Sequence, residues 1–93
     1  MTTYRILYNP LANNGKGLET SEALRAMFAE DDLHFEDMTA ISDYAAYFSG
    51  LSSGDIVILC GGDGTLNRFI NDTDGLELHH EILYYAAGSG SPA

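Results

Sequence analysis

The sequence predicts an α/β fold, a doubly wound parallel sheet of about four strands in a truncated form. Three observations point to it. Short apolar runs alternate with segments whose apolar residues recur at helical spacing, the signature of strand and helix in succession. The run Ile56-Val57-Ile58-Leu59-Cys60 has no polar face, as a parallel strand covered on both sides requires. Proline- or glycine-bearing turns follow three of the four apolar runs, at the carboxyl ends where open α/β sheets collect their ligands.

Taken in order, Tyr4-Arg5-Ile6-Leu7-Tyr8-Asn9 reads as a first strand, stopped by Pro10, which has no N–H for a ladder. Leu11 to Gly17 is a loop. From Leu18 to about Glu30, Leu24, Met27 and Phe28 form the apolar face of an amphipathic helix. Leu33-His34-Phe35-Glu36-Asp37-Met38 alternates apolar and polar residues, as an edge strand does. Ser42 is placed to cap a helix through Ser49, with Tyr44, Ala45 and Phe48 inward and Gly50 at its end. The central apolar run leads through glycines to a short helix opened by Thr65, with Leu66, Phe69 and Ile70 at helical spacing. Asn71 to Gly75 is turn-rich, and Ile82 to Ala87 is a fourth strand followed by the turn Gly88-Ser89-Gly90. With right-handed crossovers, a strand order of 2-1-3-4 brings the loops after strands one, three and four to one crevice. Another helix is due after the last turn, but only Ser91-Pro92-Ala93 follows, so the sheet is expected to be cut short and to cover its open surface by self-association.

The segment Gly61-Gly62-Asp63-Gly64-Thr65 is the expected ligand site. Its glycines permit positive φ and close backbone approach, and a helix N-terminus offers N–H groups and a positive dipole end to a phosphate. It is neither of two better-known phosphate loops. A dinucleotide fingerprint started at Gly62 and Gly64 would need a glycine where Asn67 stands. A P-loop ending at Gly15-Lys16 would need a glycine at Pro10 and a hydroxyl at Gly17.

Composition narrows the function further. The 93 residues form a single domain or part of one, and carry 14 acidic against 4 basic residues, a net charge of −10. That balance removes the attraction on which nucleic-acid binding depends, and a polyphosphate would need a divalent cation to approach it. The lone Cys60 excludes an internal disulfide, fits a reducing, cytoplasmic setting and reads as a buried, inert thiol. No apolar run approaches the ~20 residues of a membrane span. Adjacent His79 and His80 make a poor chelate, and Tyr84 and Tyr85 read as packing residues, one on each face.

With Asn9-Pro10 after strand one, Gly15-Lys16-Gly17 in the next loop and Gly61-Gly62-Asp63-Gly64-Thr65-Leu66-Asn67 after the central strand, the chain resembles the diacylglycerol kinase catalytic domain family, which includes bacterial lipid kinases. The glycine element alone is shared with NAD kinases. The Asn-Pro start and Asn67 favour the lipid-kinase branch. The resemblance covers residues 1–93 as the N-terminal, ATP-binding part of a two-domain architecture. It implies magnesium-dependent transfer of the ATP γ-phosphate to a lipid hydroxyl, in a protein that meets the membrane only at its surface.

By the same resemblance, Asn9, Pro10, Lys16, Thr39, Gly61, Gly62, Asp63, Gly64, Thr65, Asn67, Gly88 and Ser89 would line the ATP site. Asp63 either holds the loop through backbone N–H groups or helps bind hydrated magnesium. Lys16 either reaches a phosphate or is a solvated loop lysine. Where the family continues its second glycine turn with Asn-Asp, this chain has Ser91-Pro92-Ala93. The family's β-rich domain, which holds the lipid and supplies the catalytic base, is absent, so these residues are expected to be inactive alone. The alternatives are a kinase for a soluble substrate such as NAD, and a non-catalytic nucleotide- or phosphate-binding module.

Overall fold

The computed structural model describes residues 2–11 and 22–86. Four parallel strands, β1 (Thr3–Tyr8), β2 (Asp32–Asp37), β3 (Ile56–Gly61) and β4 (Glu81–Ala86), form a single sheet in the order β2-β1-β3-β4. This is the order expected from the sequence. The direction of winding reverses after β2, and with one crossover hand the connections must then lie on opposite faces. Accordingly, α1 (Leu24–Met27) covers one face, while α2 (Tyr44–Ser49) and α3 (Asp63–Asp72) cover the other.

The alternation of β1 and β3 divides the core into two layers. Leu7, Val57 and Leu59 meet Tyr44, Phe48 and Phe69 from α2 and α3. Ile6, Ile58 and Cys60 meet Leu24 on the opposite side, with Tyr4 and Phe28 stacked at a ring separation of 4.5 Å. β3 is buried along nearly its whole length because it supplies both layers. Burial pushes the Cys60 thiol from its ordinary value of 9.0 up to about 11.

That shift has a definite sign. The folded state favours the neutral thiol, so its contribution to stability is complete below the unfolded value and is lost as pH rises from 9 toward 11. The urea midpoint is expected to fall across that interval, and to fall less steeply in Cys60→Ala. Tyr44 and Tyr47, also raised chiefly by burial, extend the loss at higher pH.

Several local expectations are corrected. The described part of the helix expected from Leu18 to about Glu30 is one turn, ending at Phe28 with φ −125° and ψ 47°. So short a helix buries only Leu24, and Met27 is 61% exposed. Asp43, not Ser42, caps α2: its extended backbone lets the carboxylate accept from Ala46 N at 3.2 Å, while Ala45 faces outward. The last helix begins at Asp63, before Thr65. Of its three expected apolar positions Phe69 is buried, Leu66 is half-buried and Ile70 is 54% exposed, because α3 meets the sheet along a narrow stripe.

A polar network crosses the α2 layer. Arg5 bridges Glu36 of β2 and Asp55 before β3, each at 3.3 Å, and Tyr47 of α2 donates its hydroxyl to Glu36. Asp55 is 6% exposed and also accepts from Ser52 N. The network supplies partners for a carboxylate that could not otherwise be buried.

Candidate functional site

The carboxyl ends of β1 and β3 lie side by side, with Tyr8 opposite Cys60, so Asn9 and Gly61 follow at adjacent positions. Tyr8 is also opposite Asp37 on β2, and Gly61 is opposite Ala86 on β4. The reversal of winding between β1 and β3 leaves a crevice at this edge. The described starts of the loops after β1, β2 and β3 therefore lie along one edge of the sheet, while the turn expected after β4 lies outside the described residues.

Each loop is shaped by a local hydrogen bond. Asn9 Oδ1 accepts from Leu11 N at 2.9 Å, an Asx turn over Pro10. Asp37 accepts from both the N–H and the hydroxyl of Thr39, at 2.8 and 2.6 Å, and so caps the 3-10 turn Met38–Ala40 on which Thr39 is exposed.

The glycine turn is sharper. Gly61 ends β3 at φ 159°, and a Cβ placed on it would lie 2.6 Å from Thr65 Oγ1, 2.7 Å from its Cβ and 2.8 Å from its Cγ2. Thr65 of α3 is 4% exposed, packed against the end of β3. Gly61 is thus required so that α3 can start this close to β3. Gly62 is extended at φ −103°, so positive φ, expected generally of this turn, belongs to Gly61 alone among its described glycines. At Gly64 an added Cβ would meet nothing within 4 Å.

Gly62 is the N-cap of α3, no side chain caps it, and the first helical bond runs from Leu66 N to Gly62 O at 3.1 Å. The N–H groups of Asp63, Gly64 and Thr65 precede that bond and have no intrahelical acceptor. They carry the positive end of the dipole of a ten-residue helix. Asp63 is exposed in the first turn, and Asn67 is exposed one turn further on, on the same side of α3. Lys16, Gly88 and Ser89 lie outside the described residues.

One residue at this edge was read in the sequence only as packing. Tyr84 of β4 donates its hydroxyl to Gly61 O at 3.1 Å and is 41% exposed. Strand alternation puts it on the α3 face, but nothing in the sequence shows that its hydroxyl reaches the glycine turn. Its pKa is raised by burial first, then by the negative charge of Asp63, so it remains a donor through the neutral range.

Among the described residues the three arginines are engaged elsewhere. Arg5 is paired with Glu36 and Asp55, Arg68 with Asp72 at 3.6 Å, and Arg25 lies 4.5 Å over the Phe35 ring. Among the described residues no three His, Cys, Asp or Glu side chains are grouped to hold a metal. A groove of about 260 Å³ between α2 and residues 76–80, lined by Phe48, Leu76, Leu78 and His80, lies at the opposite, amino edge of the sheet, away from the glycine turn.

No curated protein and no solved structure matches the chain. The family model described as "Diacylglycerol kinase catalytic domain" matches residues 3–92.

Proposed function

The chain belongs to the diacylglycerol kinase catalytic domain family, and from that premise we propose that it is the ATP-binding portion of a lipid kinase, passing the γ-phosphate to a lipid hydroxyl in the full-length protein. One observation carries the reading: uncapped N–H groups at the start of α3 stand beside an open Gly64, in the crevice between β1 and β3.

The chemistry follows from these residues. The N–H groups of Asp63, Gly64 and Thr65 donate to phosphate oxygens, and the helix dipole favours their charge. The Asx turn commits Asn9 Oδ1 to Leu11 N and leaves the Asn9 NH₂ as the group that can donate to a ligand. Thr65 holds α3 against Gly61 so that these donors keep their aim. With Arg5, Arg25 and Arg68 engaged elsewhere, the charge of the phosphates is offset by the backbone, by Lys16 of the loop after β1 and by a cation that arrives with the nucleotide. Magnesium would supply that neutralisation, and Asp63, exposed in the first turn, is the carboxylate that would meet it or its water shell.

The acceptor hydroxyl and its base come from the lipid-binding domain, so residues 1–93 alone bind ATP without turning it over. In this reading the full-length protein meets the membrane peripherally, from the cytoplasm, to reach its lipid. Calorimetry with ATP and Mg²⁺ tests the first half, with saturable one-site binding expected. Joining the lipid-binding domain tests the second, with phosphorylated diacylglycerol expected only in the joined protein. A folded chain that binds no ATP, or a joined protein that phosphorylates NAD and not lipid, would overturn the proposal.

A further inference from the structure

We infer that Tyr84 is a positioning residue for the phosphate loop: its hydroxyl holds the Gly61–Gly62 peptide so that the N–H of Gly62 faces the crevice between β3 and β1. The inference rests on the nucleotide reading just given and adds a residue to it. Tyr84 lies opposite Leu59 on the neighbouring strand and reaches along β3 to donate to Gly61 O at 3.1 Å. In a trans peptide the carbonyl and the following N–H point in opposite directions, and no described peptide bond is cis. A carbonyl held on the β4 side therefore turns Gly62 N–H away from β4, toward β1, which flanks β3 on its other side. Asn9 stands there.

Apart from this hydroxyl, backbone contacts hold the segment: Gly61 stands opposite Ala86 in the ladder and Gly62 O accepts from Leu66 N. Gly61 and Gly62 have no side chains to fix their backbone, and glycine samples more conformations than any other residue. The acceptor of the Tyr84 hydroxyl, Gly61 O, belongs to the residue just before the N-cap of α3, so the hydroxyl stands next to the start of that helix. The anchor costs the loop none of its own donors, because it engages a carbonyl that an anionic ligand would avoid. It presets the loop before the phosphate arrives.

The test is Tyr84→Phe, which removes the hydroxyl and keeps the ring, compared with Tyr85→Phe, whose residue packs against the other layer. Each ¹⁵N-labelled chain is titrated with ATP and Mg²⁺ while the amide resonances of Gly62, Asp63 and Gly64 are followed. In Tyr84→Phe those three resonances are expected to shift and broaden before ligand is added, with Ile58 unchanged. The ATP affinity is expected to fall about three- to tenfold, the range of one neutral hydrogen bond. Tyr85→Phe is expected to match the wild type in both.

Unchanged loop resonances in Tyr84→Phe would overturn the inference whatever the wild type binds. So would shifted resonances with unchanged affinity. A folded wild-type chain that binds no ATP would overturn the nucleotide reading, and this inference with it, which separates the two failures.

Discussion

Gly64→Val is expected to weaken ATP binding by about 10- to 100-fold, the equivalent of one hydrogen bond to a charged group. The substitution places a branched side chain on the open side of the first turn of α3, where nothing of the protein lies within 4 Å of the new Cβ. The fold therefore has no reason to yield. Valine is a better helix former than glycine, so the urea midpoint should stay the same or rise slightly, by no more than about 0.5 kcal/mol. What is lost is the approach of a phosphate to the N–H groups of residues 63–65. Calorimetry beside urea unfolding checks both halves. Gly64→Ala, which adds one methyl group, should fall between wild type and valine. Unchanged affinity in a folded Gly64→Val protein would mean that the phosphates bind elsewhere.

Gly61→Ala, three residues earlier, is expected to do the reverse: to cost stability first, by about 2–4 kcal/mol, from overpacking combined with an unfavourable backbone conformation. The new Cβ would lie within 2.8 Å of three atoms of Thr65, and Thr65 is buried between strand and helix with no room to withdraw. A domain of this size has roughly 5–14 kcal/mol in all, so the urea midpoint should move by a large fraction of its value. The double substitution Gly61→Ala with Thr65→Gly removes all three clashing atoms. Its cost should be well below the sum of the single changes, a coupling that a double-mutant cycle measures directly. Additive costs would show that the glycine is needed only for its φ of 159° and not for its contact with Thr65.

The two glycines look equivalent in the sequence and differ in the structure because one lies under a helix and the other on its open side. Other features divide along the same line. The strand order was legible because β3 has no polar face and the turn-forming residues follow β1, β3 and β4, which leaves few ways to wind the sheet. β2 was legible as an edge from its alternation of Leu33, Phe35 and the polar residues between them. What could not be read depended on distances across the fold. Met27 has the spacing of a buried residue, but the described helix is too short to use it. Ser42 and Asp43 are both good caps, and only the backbone conformation of Asp43 selects between them. Tyr84 occupies an ordinary strand position, and its bond to Gly61 joins residues 23 apart.

Arg5 and its partners bear on how the sheet is aligned. A strand that is apolar on both faces, as β3 is, can slide by one residue against its neighbour without exposing anything greasy, so hydrophobicity alone leaves its pairing undecided. Arg5 makes the choice. Its guanidinium meets Glu36 on one flank and Asp55, just ahead of β3, on the other. A slip of one residue on either side would turn Arg5 toward the opposite face of the sheet and leave Asp55 buried without its cation, at a cost of about 3–5 kcal/mol. One charged residue thereby acts as a registration mark for three strands, and the loops at their far ends meet because the near ends are pinned.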